Sequence, residues 1–199
     1  MVKTLHRVWV GDGAMPKYGS ENALRFFALH PGWSSIVWHN HAIESFLADF
    51  YPLVYEVYRA CKWDIVKADI IRLCAVYHYG GLYTDLDVEW YRNIEGLLKQ
   101  DPKPSVFFRE AATGGVTNSI FYSDPRQPCF AELLEKIQQA PTIDSTLDVL
   151  KCTGPIALTN VVEGRDDCSI RSHYYFEYLS EAPIEVFQYG HHKNVGSWL

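Results

Sequence analysis

The fold is decided by the segment Lys67-Ala-Asp-Ile-Ile-Arg-Leu-Cys-Ala-Val-Tyr-His-Tyr79, which is followed by Gly80-Gly81 and by Leu82-Tyr-Thr-Asp-Leu-Asp-Val88. Apolar residues in the first segment recur at steps of three and four, which predicts a helix with one apolar stripe made of Ile70, Leu73, Cys74 and Tyr77. The glycine pair is typical of a helix end, and the third segment is predicted to be a strand that runs into a loop. This block therefore predicts a helix, a sharp turn and a strand that ends in two carboxylates.

The two carboxylates are Asp85 and Asp87, which are two positions apart at the end of the predicted strand. Side chains i and i+2 point to the same face of a strand, so both carboxylates can converge on one cation. A hard divalent cation prefers oxygen ligands and accepts a substrate phosphate in its shell. An Asp-x-Asp pair alone is more often a solvated turn, so its neighbours in the sequence decide how it is interpreted.

The neighbouring helix carries Asp69 and Arg72, which share one face because they are three positions apart. The simpler interpretation is an intrahelical salt bridge, worth about 0.2–0.5 kcal/mol. The functional interpretation is a polar clamp directed at a ligand that Asp85 and Asp87 hold. Glycines at the helix end allow a sharp backbone turn, which would bring the helix and the acidic pair together.

Predicted strands and helices alternate along the rest of the chain, without repeats or low-complexity linkers. Strands are expected at 5–10, 36–38, 106–108, 119–122 and 184–187. Helices are expected from an N-cap at Ser20, over 43–50, from Pro128 and over 156–162. This alternation predicts an α/β fold.

Length and composition limit the classes of function. A chain of 199 residues is expected to form one domain over 1–199, and attachment to a larger parent protein stays open. The net charge of −6, with no basic cluster, excludes a typical nucleic-acid binder. Aromatic residues make up 15% of the chain, more than a core of this size needs, which indicates a stacking site for a ligand.

The cysteines and the N-terminus indicate a cytoplasmic protein. The five cysteines have neither Cys-x-x-Cys spacing nor a Cys/His ligand pattern, so we expect free thiols in a reducing compartment. The N-terminal segment has no apolar stretch of the signal-peptide kind, and no run approaches the roughly 18 apolar residues of a spanning helix. We therefore expect no membrane span.

The block over 67–88 resembles the signature of DXD-type glycosyltransferases of family 32, a group that includes the yeast initiating mannosyltransferase and is related to the large clostridial glucosylating toxins. Other segments are similar to further family motifs, in the family's order: 6–11, 118–122, 153–159 and 191–198. In its size and its lack of an anchor, the chain also resembles soluble glycosyltransferases of large algal viruses, which glycosylate their own capsid proteins.

This resemblance implies a GT-A fold, in which helices flank a Rossmann-like mixed central sheet, as a single catalytic domain. It implies a metal-dependent, retaining transfer of a hexose or deoxyhexose from a nucleotide sugar, with Mn²⁺ or Mg²⁺ as the cation. A UDP-sugar is favoured over a GDP-sugar as the donor. A glycan or a glycoprotein is the implied acceptor, and neither nucleic acid nor membrane is expected as a partner.

The resemblance also assigns roles to residues at matching positions. Trp9 would stack on the base of the nucleotide, and Tyr83 and Asp85 would contact its ribose and phosphate. The full set of donor-binding residues implied by the resemblance is Trp9, Asp69, Arg72, Tyr83, Asp85, Asn118, Ser197 and Trp198. The implied metal ligands are Asp85, Asp87 and one of His191 and His192. The implied catalytic residues are Asp87, Asp85 and Arg72. Because His192 is four positions before Gly196, where the family pattern has three, the choice of histidine stays open.

No motif supplies a further carboxylate as a nucleophile, so we expect front-side departure and return without a dedicated protein base. Two alternatives stay open at this point. One is a non-catalytic module that binds a nucleotide sugar or a glycan. The other is a phosphatase of the haloacid dehalogenase type, because Asp85-Leu-Asp87-Val resembles the nucleophile loop of that class.

Overall fold

The computed structural model describes residues 1–140, 143–177 and 188–195. The helices are α1 (Lys17–Leu29), α2 (Asn40–Phe50), α3 (Pro52–Ala60), α4 (Asp64–Tyr79), α5 (Glu95–Gln100), α6 (Pro128–Gln138), α7 (Thr146–Cys152), α8 (Pro155–Val162) and a short 3₁₀ helix, His173–Tyr175. The strands are β1 (Thr4–Trp9), β2 (Ser34–His39), β3 (Gly81–Thr84), β4 (Val88–Trp90), β5 (Ser105–Arg109), β6 (Val116–Ser123), β7 (Cys168–Arg171) and β8 (Gly190–His192). The alternation of strands and helices confirms the α/β class.

A mixed sheet forms the centre of the molecule. Within the described ranges, six strands pair in the order β2-β1-β3-β6-β5-β7. Strand β6 runs antiparallel to its neighbours β3 and β5, whereas the other neighbouring strands are parallel. Strands β4 and β8 form a separate antiparallel ribbon. Because β1 and β3 are parallel, their carboxyl ends meet at one edge of the sheet, and the acidic pair follows β3 at that edge.

Helix α4 is buried on nearly all sides, so the predicted single apolar stripe was too narrow. Every residue from Ala68 to Val76 is buried. The helix packs on β1, β3 and β6, while α2, α3 and α6 cover the sides that face away from the sheet. Burial on all sides places Asp69 and Arg72 in the interior, where they need partners.

The Gly80-Gly81 turn confirms the predicted helix end and shows why glycine is needed. Gly80 has φ +67° and Gly81 has φ +111°, a region that side chains disfavour. A Cβ atom on Gly81 would lie 2.4 Å from the carbonyl oxygen of Thr4 on β1. The carbonyl oxygen of Gly80 accepts a hydrogen bond from Nε2 of His6 at 2.9 Å. This close approach joins the end of α4 to β1.

Some predicted boundaries differ from the structure. Helix α1 begins at Lys17 after Pro16, not at an N-cap on Ser20, because Pro16 has φ −55° and its carbonyl oxygen accepts the N–H of Gly19. The short elements α5, α7, β7 and β8 were not predicted, since three to seven residues carry little periodicity. The strand predicted at 184–187 lies outside the described residues.

Two further findings concern the membrane and the thiols. None of the helices in the described part of the chain has the length and apolar character needed to cross a membrane. All five cysteines are free, as the sequence indicates, and Cys74, Cys129 and Cys168 are buried.

Candidate active site

The acidic pair lies in a turn, not in a strand. Strand β3 ends at Thr84 and β4 begins at Val88, so Asp85 and Asp87 belong to the connection between them. Hydrogen bonds hold this turn in place. Among them, Nδ2 of Asn22 donates to the carbonyl oxygen of Leu86 at 2.9 Å, and the N–H of Asp85 donates to the carbonyl oxygen of Ser119 at 2.8 Å. The strand alternation proposed from the sequence was therefore the wrong reason for the convergence of the two carboxylates.

A histidine from the other end of the chain joins the acidic pair. Strand β8 pairs with β4 so that His192 lies opposite Val88. Nε2 of His192 is 3.4 Å from Oδ1 of Asp87 and 4.0 Å from Oδ2 of Asp85. Ligand atoms of Asp85, Asp87 and His192 all lie within 4.8 Å of one another.

His191 does not join this cluster. It is opposite Glu89 in the β4–β8 ribbon, and successive side chains of a strand point to opposite faces. The strand register therefore brings His192, and not His191, to the acidic pair.

The charges at this cluster depend on one another. Burial alone would lower the pKa of His192, but the neighbouring carboxylates of Asp87, Glu177 and Asp85 raise that pKa to about 10. Burial opposes the charge on Asp87 too, yet the pKa of Asp87 is lowered because it pairs with His192 and accepts the N–H of Val195. A protonated imidazole thus supplies the positive charge that the paired carboxylates require.

The residues present fit a divalent cation. Two carboxylates and one imidazole converge at this point, and carboxylate and imidazole ligands suit Mn²⁺. Mg²⁺ also binds through one or two carboxylates together with substrate phosphates. When bound, such a cation would act as a Lewis acid that stabilises the negative charge of a departing diphosphate.

Arg72 connects the acidic turn to α4. Its side chain is 1% exposed, and its Nη1 lies 3.2 Å from Oδ1 of Asp85. Its Nη2 lies 3.3 Å from Oδ1 of Asp69, and its Nη1 donates to the carbonyl oxygen of Asn118 at 2.7 Å. The salt bridge expected from the sequence is therefore present, and the same buried guanidinium also contacts the acidic turn.

The ring of Tyr83 packs against this group. The guanidinium carbon of Arg72 lies 4.8 Å from the centre of the Tyr83 ring, a cation–π contact. The Tyr83 hydroxyl donates to Oδ1 of Asp85 at 2.5 Å, and the residue is only 1% exposed. The sequence analysis gave Tyr83 a contact with the ribose. In the structure the buried hydroxyl is directed at Asp85, and the contact with the ribose stays a prediction.

Asp69 is held by three neighbours. Nδ2 of Asn118 donates to Oδ1 and the hydroxyl of Thr153 donates to Oδ2, each at 2.9 Å, and Arg72 lies beside Oδ1. Burial has the largest effect and raises the pKa of Asp69 to about 7, although all three neighbours act in the opposite direction. Asn118 is half-buried, so it is the member of this group that borders the open side of the site.

The remaining sequence-predicted residues lie at the edges of the site or beyond it. Trp9 ends β1, is half-buried, and donates from Nε1 to the carbonyl oxygen of Gly13 at 2.7 Å. Ser197 and Trp198, expected to close over a diphosphate, lie outside the described residues.

Three residues of the site escaped the sequence analysis: Asn22, Thr153 and Glu177. Asn22 fixes the acidic turn, and Thr153 holds Asp69. Glu177 is 8% exposed and its Oε1 lies 3.9 Å from Nδ1 of His192. Only Thr153 carried a signal, since it begins the Thr153-Gly-Pro segment that resembles a family motif.

A groove of about 740 Å³ opens beside the amino end of α4. Its lining combines apolar Val57, Trp63 and Ile143 with polar Glu56, Lys62 and Asp144. Trp63, which is 40% exposed, precedes Asp69 by six positions, which is about 9 Å along a helix axis. The groove thus lies at the end of the helix that carries Asp69.

Comparisons of sequence match a large part of the chain to glycosyltransferases. Residues 16–104 match the family described as a glycosyltransferase sugar-binding region containing a DXD motif. Mannosyl phosphorylinositol ceramide synthase CSH1 of Saccharomyces cerevisiae is 27% identical over 161 residues, which cover 80% of this chain and 42% of that protein. Inositol phosphoceramide mannosyltransferase 2 of Schizosaccharomyces pombe is 29% identical over 159 residues, 79% of this chain and 45% of that protein. The chain thus spans less than half the length of these relatives.

Comparisons of structure agree with the fold. The PaToxG glycosyltransferase superimposes with a TM-score of 0.61 at 16% identity, covering 80% of this chain and 67% of that one. The UDP-bound glycosyltransferase domain of the YGT toxin superimposes with a TM-score of 0.59 at 10% identity, covering 85% of this chain and 79% of that one. Residues 16–104 therefore match a DXD-containing glycosyltransferase region, and the fold of the chain is that of GT-A glycosyltransferases, as the resemblance implied.

Proposed function

We propose that the chain catalyses a metal-dependent, retaining transfer of a hexose or deoxyhexose from a nucleotide sugar to a glycan or glycoprotein acceptor. The observation that carries the proposal is the convergence of Asp85, Asp87 and His192 within 4.8 Å at the carboxyl end of β3. A nucleoside diphosphate is a poor leaving group unless its developing charge is neutralised, and these three residues suit the cation that does so.

The donor sugar is proposed to lie against the group formed by Asp69, Arg72 and Asn118. A buried carboxylate and guanidinium that are fixed by neighbours present hydrogen-bonding groups in a set geometry, which favours binding of sugar hydroxyls. The base is proposed to stack on Trp9, at the end of β1 on the same edge of the sheet. Stacking needs no basic patch, which fits the acidic composition of the chain.

We infer a front-side mechanism for the transfer. The bond between the anomeric carbon and the diphosphate oxygen breaks, the acceptor oxygen bonds to the same face, and the acceptor proton leaves with the diphosphate. The carboxylates gathered here already have partners: Asp69, Asp85, Asp87 and Glu177. A glycosyl-enzyme adduct trapped on any of them would contradict this mechanism, and proton NMR of the first-formed product would report whether the anomeric configuration is retained.

The test of the donor is calorimetric binding of UDP and of GDP, each with Mn²⁺ and then with EDTA. We propose a UDP-sugar, so UDP should bind with Mn²⁺ and be released by EDTA. The names of the yeast relatives above refer to mannose, so the titration with GDP tests for a donor of the mannose type. A preference for GDP would overturn the UDP assignment and leave the proposed glycosyltransferase activity standing. Binding of neither nucleotide by folded protein would overturn the proposed function.

Hydrolysis of the donor without an acceptor separates this proposal from its alternatives. Metal-dependent release of sugar supports an enzyme, whereas binding without any turnover supports a sugar-binding module. A haloacid dehalogenase-type phosphatase would instead hydrolyse an aryl phosphate. That alternative is disfavoured here, since Asp85 follows a strand of only four residues in a GT-A fold.

We propose that the acceptor sugar binds in the groove beside α4. An exposed tryptophan among polar side chains suits the alternating apolar and hydroxylated faces of a sugar ring. Trp63→Ala should therefore lower the rate of transfer to a glycan acceptor while donor hydrolysis stays unchanged. Equal effects on both rates would place Trp63 outside the acceptor site.

A further inference from the structure

Glu177 is a buried carboxylate next to the proposed metal site and belongs to no motif. It follows the 3₁₀ helix His173–Tyr175, and its backbone N–H donates to His173 at 2.7 Å. Its Oε2 accepts the backbone N–H of Ala111 at 2.5 Å. Both the backbone and one carboxylate oxygen of Glu177 are therefore fixed, and the other oxygen is left for a second partner.

The second partner is the imidazole of His192. Nε2 of this ring faces Asp85 and Asp87, whereas Nδ1 is buried and has no hydrogen-bond partner. Oε1 of Glu177 lies 3.9 Å from this Nδ1. The backbone N–H of His192 donates to Phe176 at 2.8 Å, which keeps β8 and Glu177 side by side.

A buried hydrogen-bond donor without a partner destabilises the protein by about 1–3 kcal/mol. A hydrogen bond between Nδ1 of His192 and Oε1 of Glu177 would remove this cost. A neutral imidazole carries one N–H, and a ring that binds a cation through Nε2 must carry that proton on Nδ1. A carboxylate that accepts the Nδ1 proton fixes this tautomer and makes the other nitrogen a better ligand.

We propose that Glu177 is a positioning residue that accepts the Nδ1 proton of His192 and so holds Nε2 as a metal ligand. The inference rests on the proposed function, because it needs a cation at Asp85, Asp87 and His192. The rival interpretation is that Glu177 only caps the N–H of Ala111, which would support the fold and leave the cation unaffected.

The test measures Mn²⁺ binding to the whole chain without any donor, by calorimetry or electron paramagnetic resonance. Loss of such a carboxylate weakens metal binding by about 10–100-fold, so Glu177→Ala should raise the Kd for Mn²⁺ by that factor. Glu177→Gln keeps an acceptor oxygen for Nδ1 and should recover part of the loss. Glu163→Gln, at an exposed glutamate paired with Arg109, is the control and should bind as the wild type does.

A second measurement needs no variant. Nitrogen-15 NMR of the wild type saturated with Mg²⁺ should show His192 protonated on Nδ1 and unprotonated on Nε2. The opposite tautomer, or wild-type Kd values for folded Glu177→Ala, would overturn the role of Glu177 and leave the proposed function standing. Absence of Mn²⁺ binding by the wild type would instead overturn the metal dependence from which both proposals start.

Discussion

Arg72 and Asp85 form an ion pair between the buried helix α4 and the turn that carries the acidic pair, with 3.2 Å from Nη1 to Oδ1. The guanidinium contacts Asp69 at the same time, and the ring of Tyr83 lies against it. The guanidinium of Arg72 thus fixes the positions of two carboxylates, that of Asp69 in α4 and that of Asp85 in the turn after β3. The turn that carries the acidic pair is therefore anchored to the interior of the protein.

Removal of this guanidinium should destabilise the fold. Arg72→Met would leave Asp69 and Asp85 without their buried cation, and breaking a buried pair in this way costs about 3–5 kcal/mol. Urea unfolding measures the loss, with Arg59→Met on the exposed side of α3 as the control. Equal stability of Arg72→Met and the wild type would show that the pair is not needed by the fold.

Asp87→Asn should remove metal binding and turnover without unfolding the protein. The amide keeps an oxygen that accepts the N–H of Val195 and relieves the repulsion with Asp85, while it loses the charge that a cation needs. We expect a Kd for Mn²⁺ raised by about 100-fold or more, since a ligand itself is changed. Circular dichroism checks the fold, and Asp49→Asn on the exposed surface of α2 is the control. Unfolding of Asp87→Asn would mean that Asp87 is chiefly structural.

Trp9→Ala should weaken nucleotide binding by about 1–3 kcal/mol, the usual contribution of one aromatic ring stacked on a base. Trp9→Phe keeps an aromatic face and loses the hydrogen bond from Nε1 to Gly13, so it separates stacking from support of the loop. We expect Trp9→Phe to retain most of the affinity in the same calorimetric titration. If both variants bind equally weakly, the hydrogen bond and not stacking is responsible.

Because of His6, the free energy of unfolding should decrease as the pH is lowered into the acidic range. Burial lowers the pKa of His6 to about 4, although the hydrogen bond to Gly80 acts in the opposite direction. At a mildly acidic pH the ring is therefore neutral in the folded protein and protonated in the unfolded chain. The unfolded chain takes up a proton below pH 6.5, and the free energy of unfolding should therefore drop by about 2 kcal/mol between pH 7 and pH 5.

The matched variant is His6→Gln, whose amide can still accept from Trp38 and donate to Gly80 but does not titrate. Denaturant unfolding at several pH values should give the variant a flatter pH dependence than the wild type. Parallel curves for the two proteins would rule out His6 as a source of acid instability.

Gly81→Ala should unfold or severely weaken the protein. The new Cβ atom would lie 2.4 Å from the carbonyl oxygen of Thr4 at a φ of +111°, so backbone strain of about 1–3 kcal/mol adds to a clash with fixed backbone. Gly96→Ala in α5 is the control, because nothing lies within 4 Å of its Cβ and helix formation favours alanine by about 0.5–1 kcal/mol. Thermal unfolding of the two variants should shift in opposite directions.

The sequence allowed prediction of the elements that carry their own local signal. Helix α4 and the glycine turn followed from periodicity and from the conformational freedom of glycine, and the acidic pair was found by its spacing. The burial of α4 on all sides was not predictable, because packing of α3 and α6 depends on the whole fold.

The choice between His191 and His192 was beyond sequence reasoning for a similar reason. Two successive residues of a strand differ only in the face they present, and the register of β8 on β4 decides that face. Glu177 was missed because it belongs to no motif and only the fold brings it to His192. Pairwise contacts of this kind exist only in the folded chain.

The hydrogen bond from the N–H of Val195 to Oδ2 of Asp87 joins positions 108 residues apart in the chain. The ribbon that it completes consists of two strands of three residues, and a two-stranded ribbon of this size is marginally stable alone. We expect local opening of β8 to separate His192 from the acidic turn. A cation that binds only the closed form stabilises it by mass action, so hydrogen exchange at the amides of β8 slows as the concentration of the cation rises.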